Sequence, residues 1–317
     1  MKNVLVLGGT GFVGRHTCEK LQRDGWHITV PTRRAARAAL VQHLPRVTVI
    51  EADVHDPRQL LALMAGQDAV VNLVAILHGS EAAFERAHVE LPLAIEEACL
   101  ANGVRRLVHV SALGVALDGP SRYQRSKARG EEVLRAANLD LTVLRPSVIH
   151  GMGDRFLNLF AQLQAVAPVV PLACADARFQ PVWVEDVAAA IAACLRDNAI
   201  GRASIGQTYE CVGPEVFTLR ELVQLAGRLG SRERPVIGLP AALGRCQAAV
   251  MECLPGEPLM SRDNVDAMAV PNVATGQWPG LDRLGIQAAS VHAIAPETLA
   301  QRTGHSRLLH WRQQAGR

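Results

Sequence analysis

Length, composition and charge exclude several classes of protein at once. The chain has 317 residues, of which 49% are apolar, and a chain of this length buries about 75% of the surface that its unfolded form exposes. It therefore supports a core of its own without metal or disulfide staples. The 33 basic and 30 acidic side chains leave a formal net charge of +3, which is too small to indicate nucleic-acid binding.

Positive charge is concentrated at the end of the chain. Residues 302–317 hold four arginines and no acidic residue, and without them 29 basic and 30 acidic side chains leave a net charge of −1. This segment is predicted to be a mobile basic tail. Contact of the tail with a membrane surface or a partner protein is a further hypothesis.

Residue spacing argues against a metal site and against secretion. The seven cysteines include no CxxC pair and the eleven histidines show no HxH or HxxxH pattern, so no metal is predicted. The first residues, MKNVLVLGG, predict a strand rather than a signal peptide, and the apolar run 187–195 is too short to span a bilayer. We expect a cytoplasmic protein, with peripheral attachment to the inner face of a membrane as the alternative.

Short apolar runs alternate with amphipathic stretches through the first half of the chain. The predicted strands are 3–7, 28–30, 47–50, 69–75, 106–111 and 141–144. The predicted helices are 12–24, 57–65, 84–102 and 123–137. This alternation predicts an α/β fold with a doubly wound parallel sheet of the Rossmann type.

After Pro146 the chain is interrupted by many prolines and glycines. A helix is predicted over 186–196, and the segment QTYECVGPEVFTLRELVQLAGRLG predicts a strand, a turn and a helix from Thr218. We assign these elements to a smaller, irregular α/β substrate lobe. The predicted domains are 1–150 for the doubly wound domain, 151–301 for the substrate lobe, with part of 176–200 packing back on the first domain, and 302–317 for the tail.

The strongest local signal is the glycine-rich turn GGTGFVG at 8–14, which follows a predicted strand and opens a helix. Gly8 permits the tight turn, Gly11 lets the backbone approach a pyrophosphate, and Gly14 allows close packing of helix on strand. A turn that binds no ligand is the alternative. The pattern predicts dinucleotide contacts from Gly8, Thr10, Gly11, Phe12, Val13 and Gly14.

The end of the second strand favours NADP(H) over NAD(H). Arg33 and Arg34 stand where an NAD-selective site usually carries an acid for the ribose 2′-hydroxyl, and arginine matches a 2′-phosphate through paired hydrogen bonds. A solvated basic helix start is the alternative. Asp53 and Val54 follow the third strand, where Asp53 is predicted either to accept from the adenine amino group or to act as a turn residue.

Ser111, Tyr123 and Lys127 form the predicted catalytic group. Tyr and Lys four residues apart lie on one helical face, where an ammonium can favour ionisation of a phenol whose ordinary pKa is about 10. Tyr123 would transfer the proton, Ser111 would orient a carbonyl or alcohol oxygen, and Lys127 would also hold the nicotinamide ribose. All three are also predicted to contact the cofactor. Each residue also has a structural alternative, as a strand-end turn, a half-buried helix residue or one charge of a basic run.

The chain resembles the short-chain dehydrogenase/reductase superfamily, in its extended or atypical branch. The GxxGxxG spacing, Ser111 and the YxxxK formed by Tyr123 and Lys127 carry the resemblance. The segments VVNLVAIL, LVHVSALG, YQRSKARGEE, LRPSVIHGMGDRFLN and FQPVWVEDVAAAI are similar to bacterial relatives of the NADPH-holding accessory subunit of respiratory complex I.

The resemblance implies a second set of cofactor contacts. These are Leu73, Val74, Ala75, Pro146, Ser147 and Val148, the last three near the nicotinamide. His150 and Met152 depart from the family pattern, which has an aromatic residue and a proline there, and this leaves the substrate pocket undefined. The resemblance also implies firm NADPH binding without an established reaction.

Weaker signals come from five further positions. His109 and His150 are predicted to lie either beside the substrate pocket or in the core. Glu185 and Asp186 are predicted either to contact the substrate or to cap a helix N-terminus. Tyr209 is predicted to lie in the core.

Three functions fit this sequence. The first is an NADP(H)-dependent oxidoreductase that transfers hydride between NADPH and a small-molecule carbonyl or quinone-like substrate. The second is a catalytically silent accessory or assembly protein of respiratory complex I, in which NADPH stabilises the fold. The third is a nucleotide-sugar epimerase or dehydratase, which is disfavoured by Arg33 and Arg34 and by the lack of an obvious diphosphate clamp in the sequence.

Overall fold

The computed structural model describes residues 2–230, 232–253 and 258–300, so the predicted tail at 302–317 lies outside the described residues. The strands are β1 (Asn3–Leu7), β2 (His27–Thr32), β3 (Val47–Glu51), β4 (Ala69–Asn72), β5 (Arg106–Val110), β6 (Asp140–Pro146), β7 (Ile149–His150), β8 (Val170–Ala173), β9 (Arg178–Phe179), β10 (Val182–Trp183), β11 (Thr208–Cys211), β12 (Phe217–Thr218) and β13 (Val236–Leu239).

The helices follow the amphipathic stretches. They are α1 (Phe12–Arg23), α2 (Pro57–Met64), α3 (Glu81–Glu85), α4 (Leu91–Ala101), α5 (Arg122–Ala136), α6 (Leu157–Val166), α7 (Val184–Leu195), α8 (Ala199–Ala203), α9 (Leu219–Leu229), α10 (Ala241–Glu252), α11 (Arg262–Ala267) and α12 (Val291–Ala300). A π-helical turn, Arg86–Glu90, joins α3 to α4. Among the residues described, no helix combines the length and the apolar character needed to cross a membrane.

The chain divides into two compact units. As far as the structure describes them, the first comprises 2–146, 184–211 and 274–287, and the second comprises 147–183, 212–273 and 288–300. The sequence predicted a cut after residue 150 with part of 176–200 packing back on the first domain. In the structure the first cut follows residue 146, and both 184–211 and 274–287 belong to the first unit.

A seven-stranded sheet forms the centre of the first unit, in the order β11-β6-β5-β4-β1-β2-β3. All of its strand pairs are parallel, and Leu7 lies opposite Asn72, which lies opposite His109. The strand order reverses beside β1, and sheets of this kind bind ligands outside the carboxyl ends of the strands at that point. The predicted doubly wound α/β fold is confirmed.

The seventh strand of this sheet corrects one prediction. The segment TYEC, assigned from the sequence to the smaller lobe, forms β11 and pairs with β6, and Tyr209 is buried as predicted. The Glu210 carboxylate, which is also buried, accepts hydrogen bonds of 2.6 to 3.1 Å from Thr275 and from the backbone N–H of Gly276. Residues distant in sequence therefore complete this edge of the sheet.

Capping residues explain where several helices begin. Asp56 caps α2 with its carboxylate, and Ser121 and Gln124 form a capping box at the start of α5. The helix predicted over 84–102 consists instead of α3, the π-helical turn and α4. It begins three residues earlier than predicted because the Ser80 hydroxyl caps α3.

Each unit has a core of its own. Helices α2, α4 and α5 pack against the seven-stranded sheet. Each fully buried leucine in this core contributes about 1.5–3 kcal/mol to the free energy of folding. This core includes Leu5, Leu7, Leu60, Leu107 and Leu134. The second unit contains three two-stranded sheets, β7 with β10, β9 with β12 and β8 with β13, and its core includes Leu157, Leu222, Val223, Leu225 and Val291.

Candidate nucleotide-binding and active site

The glycine-rich turn after β1 leaves no room for side chains at its key positions. Gly8 has a φ of +82°, which only glycine adopts readily, and a Cβ there would lie 3.2 Å from the carbonyl carbon of Leu73. A Cβ on Gly14 would lie 2.3 Å from the Gly8 carbonyl oxygen. Gly9, which sequence reasoning left out, is also required, because its Cβ would lie 2.9 Å from the Val30 methyl groups.

Helix α1 begins without a side-chain cap. Gly11 is its N-cap residue, with extended backbone and no capping hydrogen bond, and the first intrahelical bond runs from the Arg15 N–H to the Gly11 carbonyl. The N–H groups of the first turn have no acceptor within the helix, so they suit a phosphate. Phe12 and Val13 follow, and the Phe12 ring packs edge-on against His16 at 5.8 Å. This cradle fits the pyrophosphate of a dinucleotide.

Two arginines follow β2 with their side chains exposed. Arg33 and Arg34 form no ion pair with any residue that the structure describes. The Thr32 hydroxyl fixes their backbone, since it donates to the Arg34 carbonyl at 3.1 Å and accepts from the Arg34 N–H at 3.4 Å. Both guanidinium groups are therefore available to an anion.

Asp53 takes the turn role that was the alternative to adenine binding. Its Oδ1 accepts from the His55 N–H at 3.0 Å, and its Oδ2 lies 3.8 Å from Nη2 of Arg86. Val54 is half-buried against the core of the first unit. A hydrogen bond from the adenine amino group to the Asp53 carboxylate stays a prediction.

The predicted fourth strand is too long at its carboxyl end. β4 ends at Asn72, whose Oδ1 accepts from the Val74 N–H at 3.1 Å and turns the chain. His109 supports this turn, since its Nδ1 accepts from the Asn72 side-chain amide at 3.1 Å. The next residues, Leu73 to Ala75, form a loop that starts beside Gly8. His109 therefore has a structural role, and the loop lies at the glycine turn.

Tyr123 and Lys127 lie one turn apart on α5. Lys127 is buried, and its ammonium donates to the Val110 carbonyl at the end of β5 at 2.9 Å. Burial lowers the pKa of Lys127 to about 8, against the opposing charge of Glu131. Burial raises the pKa of Tyr123 to about 12. The expected lowering of the phenol pKa by Lys127 is therefore not found, because desolvation dominates.

Ser111 follows β5 and is buried beside a charged cluster. Its hydroxyl has no hydrogen-bond partner among the described residues, although it lies close enough to the Glu131 carboxylate to help lower that group's pKa. Glu131 accepts from Arg145 at 2.9 and 2.7 Å and from Arg135 at 3.2 Å. Ser111 thus lies beside Glu131 and forms no hydrogen bond with Tyr123. The role of Ser111 in orienting a substrate oxygen stays a prediction.

The predicted nicotinamide contacts fall into separate units. Pro146 ends β6 in the first unit, where its carbonyl accepts from the Leu113 N–H at 2.9 Å. In the second unit, the Ser147 hydroxyl and the Val148 N–H both donate to Oδ1 of Asn272, at 2.6 and 3.1 Å. Their contact with a cofactor stays a prediction.

The second unit contains two features of the predicted substrate lobe. His150 is buried in β7, neither ring nitrogen has a partner among the described residues, and burial lowers its pKa to about 4. A cavity of about 580 Å³ lies elsewhere in this unit and is lined by residues that include Cys174, Arg178 and Arg220. The sequence offered no signal for the cavity, because its lining comes from four separate stretches of chain.

Glu185, at the start of α7, binds side chains of α1 rather than forming a cap. It accepts from His16 and from Lys20, whose ammonium lies 2.7 Å away, and the His16 bond is the main reason why the pKa of Glu185 is lowered to about 2. His16, Glu19 and Glu185 lie close enough to share a metal ion. Since Lys20 already supplies the positive charge, no metal site is assigned.

Comparison with known proteins agrees with this fold and with nucleotide binding. A family model described as NAD(P)H-binding matches residues 8–198. The mitochondrial NADH dehydrogenase (ubiquinone) 1 alpha subcomplex subunit 9 of Arabidopsis thaliana is 32% identical over 287 residues, which cover 85% of this chain and 70% of that protein. A ceramide reductase from Caulobacter vibrioides is 31% identical over 239 residues, which cover 75% of this chain and 73% of that protein.

A solved structure gives the same fold. A dTDP-glucose 4,6-dehydratase from Streptomyces venezuelae, with NAD and TYD bound, matches with a TM-score of 0.72 at 21% identity, covering 94% of this chain and 95% of that one. The sheet order and the glycine turn define a dinucleotide-binding Rossmann protein. The chain belongs to the NAD(P)H-binding family, in the extended branch of the short-chain dehydrogenase/reductase superfamily.

Proposed function

We propose that this protein binds NADPH in its first unit and reduces a carbonyl group on a small molecule. The observation that carries the proposal is the position of Tyr123 on α5 one turn before the buried Lys127 ammonium, in the unit that holds the glycine-rich turn. Burial raises the pKa of Tyr123 to about 12, so its phenol is protonated at neutral pH and can donate a proton to a developing alkoxide.

Each residue of the site has a distinct task in this proposal. NADPH supplies the hydride when it is bound. Tyr123 donates the proton to the substrate oxygen, and Lys127 stabilises negative charge beside it and holds the ribose. The uncapped N-terminus of α1 and the turn from Gly8 to Gly14 hold the pyrophosphate.

The exposed arginines after β2 support NADPH over NADH. We expect the double substitution Arg33→Ser and Arg34→Ser to weaken NADPH binding about tenfold to a hundredfold, because charge-assisted hydrogen bonds to the 2′-phosphate are lost. NADH binding should change less than twofold. Titrations of both nucleotides followed by nucleotide fluorescence measure the difference.

The matched control is Arg23→Ser, which removes an exposed charge at the far end of α1. It should leave both dissociation constants unchanged. Equal weakening of NADPH and NADH by the double substitution would contradict the assignment to the 2′-phosphate.

A second candidate function is a nucleotide-holding subunit or assembly protein of the respiratory NADH dehydrogenase. It is supported by the similarity to the mitochondrial subunit and by the Ser111 hydroxyl, which lies beside Glu131 without a bond to Tyr123. In that role NADPH would stabilise the first unit without turnover. Association with a respiratory complex or with a membrane surface belongs to this second proposal.

One experiment separates the two functions. The purified protein is extracted and its nucleotide identified, and consumption of added NADPH is then followed with a panel of carbonyl compounds and quinones. We expect NADP(H) in the extract and consumption that depends on a carbonyl compound. Firmly retained NADPH that no compound oxidises, together with co-purification with the respiratory complex, would support the accessory role. Failure to bind NADP(H) would remove both proposals.

A further inference from the structure

His88 lies on the π-helical turn Arg86–Glu90 and is buried. Its Nε2 accepts from the Ile76 N–H at 3.2 Å, so the ring proton of the neutral form resides on Nδ1. Nδ1 then donates to the Ser126 hydroxyl at 2.9 Å, and that hydroxyl donates to the Tyr123 carbonyl at 3.0 Å. One imidazole thus joins the loop after β4 to the helix that carries Tyr123 and Lys127.

Ring contacts and backbone packing hold His88 in place. Its ring meets the Tyr123 ring edge-on, with centroids 5.5 Å apart and planes at 82°. Phe84 contacts both rings, at 5.6 Å from His88 and 6.3 Å from Tyr123. A Cβ on Gly130 would lie 1.8 Å from the His88 carbonyl oxygen, so α5 packs directly on the backbone of the turn. π-helical turns of this kind are frequent at functional sites.

His88 stays neutral under physiological conditions. Burial and, to a smaller extent, the charge of Lys127 together lower the pKa of His88 to about 3. A neutral imidazole that both donates and accepts can keep this arrangement across the working pH range. It therefore acts through its two hydrogen bonds and not as a proton carrier.

We infer that His88 is a positioning residue that fixes the loop 73–76 against α5 and so sets the nucleotide side of the site relative to Tyr123. This inference rests on the proposed function. The loop starts beside Gly8, and its Ile76 N–H has His88 as its acceptor. Without the imidazole, that N–H group loses its acceptor in a half-buried position, and the loop is free to move from the glycine turn.

The test replaces His88 with an apolar residue of similar volume, which can form neither of the two imidazole hydrogen bonds. We expect His88→Leu to weaken NADPH binding about tenfold and to speed amide hydrogen exchange in 73–78, with exchange in β1 and β5 unchanged. Ser126→Ala removes the bond from His88 Nδ1 and the hydroxyl's bond to the Tyr123 carbonyl but keeps the bond to the Ile76 N–H, and it should weaken NADPH binding about threefold. It also keeps the test decisive if His88→Leu does not fold.

The control is Ile95→Val, which removes one buried methyl group from α4 and leaves both hydrogen bonds of His88 in place. It should lower stability while the NADPH dissociation constant and the exchange in 73–78 stay as in the wild type. Unchanged loop exchange and NADPH binding in the His88 and Ser126 variants would overturn the inference. If the wild type itself does not bind NADPH, the proposed function falls, and loop exchange still decides whether His88 fixes the loop.

Discussion

Tyr123→Phe is expected to lower kcat for carbonyl reduction by about a hundredfold or more, because it removes the proposed proton donor. The NADPH dissociation constant should change less than twofold. Phenylalanine keeps the ring that packs against His88 and Phe84, so the helix that holds Lys127 keeps its place. Steady-state kinetics with the best substrate of the panel, together with a binding titration, measure the two quantities.

The chain offers a matched control for this substitution, since Tyr209 is its other tyrosine. Tyr209 is buried in β11, and Tyr209→Phe removes a phenol hydroxyl from the same unit without changing the proposed donor. It should leave kcat within about twofold. If Tyr123→Phe retains full kcat, another group donates the proton and the proposed mechanism is wrong.

Glu131→Gln is expected to lower the free energy of unfolding by about 3 kcal/mol or more, because it removes the charge from a buried ion-pair cluster. The Glu131 carboxylate is only 2% exposed and binds both Arg145 and Arg135. A neutral amide no longer balances the charge of the two guanidinium groups. Urea unfolding at neutral pH measures this loss of stability. The control is Glu132→Gln at the exposed neighbouring position, which should change the free energy of unfolding by less than about 0.5 kcal/mol.

The pH dependence gives this prediction a second measurement. Burial alone would raise the pKa of Glu131, but the hydrogen bonds and charge of Arg145, with smaller effects from Ser111 and Arg135, hold it below its ordinary value. A lowered pKa in the folded state contributes stability above the unfolded value of roughly 4.3, and that contribution is lost as the pH falls through the folded value. The difference between wild type and Glu131→Gln should therefore shrink in acid. Equal stabilities at neutral pH would contradict the assigned role of the cluster.

Local sequence signals predicted the parts of the fold that local chemistry determines. The glycine turn, the capped start of α2 and the pairing of Tyr123 with Lys127 on one helix depend on residues a few positions apart. Their spacing alone therefore indicated where they lie. The end of β4 was missed because the side chain of Asn72 turns the chain there, and the apolar pattern continues beyond it.

Features set by distant residues could not be predicted in this way. Ser111 lies beside Glu131, which belongs to α5 and binds Arg145 of β6, so its surroundings come from two other elements. The pKa of Tyr123 depends on how deeply its surroundings bury it, and a motif four residues long contains no information about that burial. The spacing of YxxxK thus predicted the right face of the helix and the wrong direction of the pKa shift.

The return of residues 274–287 to the first unit has a consequence for how the protein is made. When β11 leaves the ribosome, the Glu210 carboxylate still lacks its donors at Thr275 and Gly276, so the sheet edge at β11 would bury an unsatisfied acid. The nucleotide-binding unit therefore finishes folding only after most of the second unit has been synthesised. Until then its last strand is an unfinished edge, which is the kind of surface that chaperones shield from aggregation.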